Sequence, residues 1–210
     1  MATTKIYIIL DRSGSMDICK NDTIGGFNSF IKTQKNITED NANISLYQFD
    51  NHYDVVYENK NIQDVPLLTN KTFIPRGGTA LLDAIGKTIN NIGSKKDNES
   101  IIVVILTDGE ENSSKEYTKS HINDLIKNKR ELGWEFVFIG ANQDAIKEAQ
   151  KIGIDADAAM DFCQNGKGVS NAFDSLSVAI KRTRSTPYKM RKENKLHFTQ
   201  EERENSMQSN

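Results

Sequence analysis

The chain contains only two cysteines, Cys19 and Cys163, and neither belongs to a Cys-x-x-Cys or Cys/His grouping. A disulfide framework and a zinc cluster are therefore not expected, and two separated thiols fit a reducing compartment. The three histidines, His52, His121 and His197, are equally scattered, which leaves histidine general-base chemistry without support. No basic leader, long apolar run or small-residue cleavage site follows Met1, so a cytoplasmic protein with no membrane segment is expected. A formal net charge of -2 supplies no general attraction for nucleic acid. Walker-type phosphate loops, a dinucleotide Gly-x-Gly-x-x-Gly after a strand, and internal repeats are all missing, which removes the common nucleotide-binding and solenoid readings.

What is present suits one α/β domain with a substantial core, at 37% hydrophobic and 27% charged residues over 210 positions. The abundance of Asn, Lys and Ile points to an AT-rich bacterial or phage genome. Residues 5–10, 101–106 and 135–139 are short apolar, β-branched runs, the pattern of strands buried on both faces of a parallel sheet. Between them, apolar residues recur at helical spacing: Ile24, Phe27, Phe30 and Ile31; Leu82, Ile85, Ile89 and Ile92; Ile122, Leu125 and Ile126. Residues 43–49 alternate apolar and polar and are followed by 53–58 after a turn, which predicts an edge hairpin. A weak final strand is expected near 154–160, then a helix carrying Val169, Phe173, Leu176 and Ile180.

Strands alternating with helices predict a doubly wound, mostly parallel sheet with helices on both faces and ligands at the carboxyl ends of the strands. The domain is assigned to residues 3–183. Residues 184–210, basic and then polar without apolar periodicity, read as a flexible tail. Pro187 should stop the last helix.

Three loops leave the expected ligand-binding edge. Asp11-Arg12-Ser13-Gly14-Ser15-Met16 follows the first strand and sets three oxygen-bearing side chains at alternating positions. Gly77-Gly78-Thr79 stands where a helix begins, and Thr107-Asp108-Gly109 follows the strand 101–106. Hydroxyls and carboxylates without His or Cys suit a hard ion in oxygen coordination. Mg²⁺ is expected, with Mn²⁺ and Ca²⁺ as alternatives. Three neutral donors leave the ion's charge undercompensated, so it would take a further anion.

Asp11-x-Ser13-x-Ser15, Gly78-Thr79-Ala80-Leu81 and Thr107-Asp108-Gly109 together resemble the metal-ion-dependent adhesion site of von Willebrand factor A domains, in that family's order and approximate spacing. The Asp-Arg-Ser-Gly-Ser-Met form resembles intracellular and bacterial members. The resemblance implies a six-stranded sheet with one antiparallel edge strand, and a site in which Ser13, Ser15 and Thr79 ligate directly while Asp11 and Asp108 bind directly or through water. It also implies a non-enzymatic module that binds an Asp or Glu carboxylate of a partner protein, with nucleic acid and membrane not involved. The competing reading is a Mg²⁺-dependent hydrolase or phosphotransferase using Asp11 and Asp108, against which the chain offers no Asp-x-Asp nucleophile and no motif-placed base. Asp83 is read as a first-turn helix residue, Glu110 and Glu111 as solvated acids beside the site, and the basic stretch 181–195 as a solvated helix end.

Overall fold

The computed structural model describes residues 2–141 and 144–207. Among these, six strands form one sheet: β1 (Thr3–Asp11), β2 (Asn41–Phe49), β3 (Tyr53–Asn61), β4 (Glu99–Thr107), β5 (Trp134–Ala141) and β6 (Ala159–Phe162). Their spatial order is β3-β2-β1-β4-β5-β6, with only β3 antiparallel. The helices are α1 (Lys20–Lys35), α2 (Leu81–Asn91), α3 (Lys119–Glu131), α4 (Ala145–Lys151), α5 (Gly166–Ser185) and α6 (Gln200–Ser206). The single α/β domain and the edge hairpin read from the sequence are both present. The last strand lies later than expected, at 159–162, because Ala156–Ala158 form a 3-10 turn.

The β4 run Ile101–Leu106 shows why a continuous apolar segment is needed at the sheet centre. Ile102, Val104 and Leu106 face one core with Phe27 and Phe30 of α1 and Phe173 and Leu176 of α5. Ile101, Val103 and Ile105 face the other, with Ile85 and Ile89 of α2 and Ile122 and Ile126 of α3. Side chains that alternate along a strand cover both faces only if every position is apolar. On the first face, Gly26 lets α1 approach closely, since a Cβ there would lie 2.6 Å from the Phe173 ring.

The segment beyond 183 differs from a flexible tail. Helix α5 ends at Ser185, with Pro187 just beyond it, and the chain then folds back across the sheet. Arg191, Leu196 and Phe198 are buried, the last two in the core shared with α1 and α5. Helix α6 carries a capping box between Thr199 and Glu202 and is tied to α5 by Arg182–Glu202 at 3.0 Å and by the Ser175 hydroxyl donating to Glu202 O at 2.9 Å. Two apolar residues separated by a histidine give no helical period, so the packing was not visible in the sequence.

Beneath this segment lies a buried ion cluster. Asp40, in the α1–β2 turn, accepts Arg184 Nε at 2.8 Å and Arg191 Nη2 at 3.2 Å, and its side chain and that of Arg184 are wholly buried. The basic stretch thus contributes two of its cations to the interior. Among the described residues no helix is long and apolar enough to cross a membrane.

Candidate metal centre

Asp11 closes β1 at zero exposure. One carboxylate oxygen accepts the Ser13 N–H at 2.6 Å and the other accepts the Thr107 hydroxyl at 2.5 Å. These bonds stitch the ends of two adjacent central strands and aim the β1 loop. Ser13 then opens the 3-10 turn Gly14–Asp17 without capping it by its side chain, so its hydroxyl remains available. Ser13 Oγ lies 3.1 Å from Ser15 Oγ, and the Ser15 hydroxyl donates to Asp108 at 2.7 Å. The other Asp108 oxygen accepts Gln164 Nε2 at 2.5 Å from the β6–α5 loop.

Thr79 arrives from the third loop. It is not a helix cap: Ala80 holds that position, and α2 begins at Leu81. Its backbone is fixed instead, with its N–H donating to Asn112 Oδ1 at 2.9 Å and its carbonyl accepting Asn112 N and Ser113 N at 3.1 and 3.2 Å. Gly77, at φ +68°, accepts Gly14 N–H at 3.0 Å and so holds the first and third loops together; that left-handed backbone favours glycine.

The convergence of the three hydroxyls is measured at Gly109. A Cβ there would sit 2.9 Å from Thr79 Oγ1, 3.5 Å from Ser15 Oγ and 3.7 Å from Ser13 Oγ. Three hydroxyls from two loops therefore gather beside Gly109, with Asp108 bonded to the Ser15 hydroxyl and Asp11 to the Ser13 N–H. Of these, Asp11, Ser13, Thr79 and Asp108 are buried, while Ser15 is exposed, so the site opens to solvent on one side.

The electrostatics are unbalanced. Burial, with the charge of Asp108 adding, pushes the Asp11 carboxyl up to about 7 against the hydrogen bonds from Thr107 and Ser13. Burial likewise raises Asp108. Among the described residues no Lys, Arg or His pairs with either acid. The nearby arginines are engaged elsewhere: Arg12 Nε and Arg76 Nε bond Asp50 at 3.0 and 2.8 Å, and Arg12 also bonds Asp54 at 2.5 Å. Nor do three His, Cys, Asp or Glu side chains gather as a metal cluster among the described residues; the remaining donors are hydroxyls. Two buried acids facing three hydroxyls, without a counter-charge, fit a hard divalent cation.

A family model described as von Willebrand factor type A domain matches residues 5–174. The chain belongs to the von Willebrand factor type A (vWA) domain family. Solved structures agree with that assignment at the level of fold. The vWF domain of the type V pili tip protein Mfa5 from Porphyromonas gingivalis has a TM-score of 0.66 at 11% identity, covering 89% of this chain and 97% of its own. Proximal thread matrix protein 1 from the mussel byssus, solved with a zinc-occupied MIDAS motif, gives 0.64 at 15% identity, covering 86% and 46%. The pilus adhesin SpaC from Lactobacillus rhamnosus GG, in its open conformation, gives 0.67 at 15% identity, covering 87% and 30%. The chain thus spans less than half the length of the latter two. No curated protein sequence matches it.

Around this vWA site the structure adds residues that the sequence did not single out. Glu111 is no solvated acid: its carboxylate accepts Leu82 N at 2.9 Å at the start of α2, and Ser113 N and Ser114 N at 2.9 and 2.8 Å. Asp83 answers it, accepting the N–H groups of Lys115, Glu116 and Tyr117 at 2.9, 2.9 and 3.0 Å. The loop after β4 and the start of α2 are therefore one unit, and the first-turn reading of Asp83 covered only part of its role. Asp83→Ala strands three backbone donors and is expected to cost about 2–3 kcal/mol, checked by urea unfolding. Gln164 could not have been found from sequence, since nothing ties residue 164 to residue 108 before the chain folds.

Proposed function

We propose that Asp11, Ser13, Ser15, Thr79 and Asp108 hold a divalent cation, Mg²⁺ foremost, and that this vWA domain uses it to capture an Asp or Glu carboxylate of a partner protein without catalysing a reaction. The observation carrying this reading is the convergence of three hydroxyls beside two buried acids that lack a basic partner. A bound Mg²⁺ would supply a positive charge that the neutral hydroxyls leave undercompensated. Asp11 and Thr107 orient the Ser13 loop, Asn112 positions Thr79, and Gln164 steadies Asp108. The zinc-occupied motif of the mussel protein supports a metal-dependent role. A chain with only two cysteines, far apart in sequence, is compatible with a bacterial or phage-associated cytoplasmic setting.

The hydrolase or phosphotransferase reading has less support. Among the described residues neither Asp11 nor Asp108 is hydrogen-bonded to a His or Lys that could serve as a general acid or base.

The test is a pull-down from bacterial lysate with wild type, Asp11→Ala and Gly109→Ala, each in Mg²⁺ and in EDTA, after circular dichroism has established that the variants fold. Gly109→Ala keeps every candidate ligand but places a methyl among the hydroxyls. A partner retained only by wild type in Mg²⁺ is expected. Capture indifferent to EDTA and to both substitutions would sink the reading, and Mg²⁺-dependent phosphatase or nuclease turnover lost in Asp11→Ala would replace it.

A further inference from the structure

At the opposite end of the sheet lies a second feature. Strand β4 runs nine residues from Glu99 to Thr107, so its two ends are roughly 27 Å apart. The metal loops leave one end. At the other, a cavity of about 390 Å³ lies between the starts of β4 and β5, the end of α3 and the segment 188–196. That volume suits a small organic molecule and is far larger than an inorganic ion needs.

Two properties of the wall define what fits. Part of it is apolar and rigid: Trp134, Phe136 and Leu196 line the cavity and are each at most 5% exposed. The rest carries an excess of positive charge. Arg130 is paired with Asp155, but Lys95, Lys189, Lys192 and Lys195 have no carboxylate within ion-pair distance among the described residues. Behind them Arg191 shares the single carboxylate of Asp40 with Arg184, so the buried layer beneath is itself one positive charge in excess.

Four acids, Glu131, Glu135, Asp155 and Asp157, share the wall with six cations, Lys95, Arg130, Lys189, Arg191, Lys192 and Lys195, which leaves two positive charges in excess. Glu135 is turned to the Leu196 N–H, and burial raises its carboxyl. Burial and the adjacent ammonium of Lys192 hold the Lys95 amine below its usual range, against the opposing charge of Glu135. A concave shape and a chain of net charge -2 argue against a nucleic acid backbone.

We propose that this cavity binds a small organic anion, a flat apolar body bearing a carboxylate, sulfonate or phosphate, at the pole opposite the metal site. The apolar body packs on Trp134, Phe136 and Leu196, and the anionic group faces Lys95 and Lys192. The cavity exists only because residues 188–196 fold back over the sheet, so the basic stretch builds a site.

The chain's single tryptophan, Trp134, lines this cavity and gives the readout. The full chain is titrated with 1-anilinonaphthalene-8-sulfonate while energy transfer from Trp134 to the dye is followed. Saturable binding is expected, weakened about tenfold or more in Lys95→Gln/Lys192→Gln, corresponding to about 1.4 kcal/mol. Both lysines carry exposed or half-exposed side chains, so the fold should survive, which circular dichroism checks. Asp11→Ala should bind the dye as wild type does, which separates this site from the metal site. Equal affinity in the lysine double variant, equally tight binding of neutral N-phenyl-1-naphthylamine, or the absence of saturable binding would each overturn the proposal.

Discussion

Asp40→Ala is expected to destabilise the domain by about 3–5 kcal/mol, a large part of the roughly 5–15 kcal/mol that holds a typical domain folded. Asp40 is the one carboxylate shared by two buried guanidiniums. Arg184 also donates to Gln34 O at 2.8 Å, and Arg191 donates to Thr4 Oγ1 at 2.9 Å, Ser100 Oγ at 3.0 Å and Arg184 O at 2.8 Å. Those neutral acceptors satisfy hydrogen bonds but carry no counter-charge. Removing the acid therefore leaves two buried cations without a counter-charge, and that desolvation, more than the lost bonds, sets the size of the effect. Urea unfolding of wild type, Asp40→Ala and Asp40→Ala/Arg184→Met measures it. The double variant, with one buried charge fewer, is expected to recover part of the loss. A loss below about 1 kcal/mol in Asp40→Ala would mean that the cluster is hydrated.

The second large effect concerns pH. In EDTA, the stability of the wild-type protein is expected to fall as pH rises from about 4 to about 7. The folded Asp11 carboxyl is pushed up to about 7, chiefly by burial, whereas the unfolded chain has the ordinary value near 4. Within that window the folded state holds a proton that the unfolded state has released, so the stability present below pH 4 is lost as pH rises through 7. Three units correspond to about 4 kcal/mol. Asp108, also raised by burial, acts in the same direction. Asp50 and Glu99, whose carboxyls are held below the usual range, act only at lower pH.

Asp11→Asn isolates the effect, because its stability should lack this part of the slope. Mg²⁺ should flatten the wild-type curve by favouring the charged carboxylate, raising the melting temperature more at about pH 8 than at about pH 5. Parallel curves for wild type and Asp11→Asn in EDTA would refute the assignment of the slope to Asp11.

The contrast between what was legible and what was not follows from range. Ile101–Leu106 announced a strand because burial on both faces demands an unbroken apolar run, and Asp11, Ser13, Ser15, Thr79 and Asp108 stood out because short motifs followed identifiable strands. The partners that arrange them did not stand out. Glu111 looked like one acid among several until its carboxylate met the first turn of α2, and Gln164 reached Asp108 only across the folded sheet.

The basic stretch gave the largest disagreement. Composition assigned Arg184 and Arg191 to solvent, as it must when cations are rarely buried without partners. The exception required Asp40, about 150 residues earlier, and a surface on which Leu196 and Phe198 could pack. The sequence by itself determined the α/β class, the strand order of its motifs and the oxygen-donor character of the site, because hydrophobic period and residue chemistry are local properties. Only the tertiary structure decided that the last segment is part of the body, that two buried acids lack a counter-charge, and that a cationic cavity lies opposite the candidate metal site, because charge balance and burial depend on which distant residues meet.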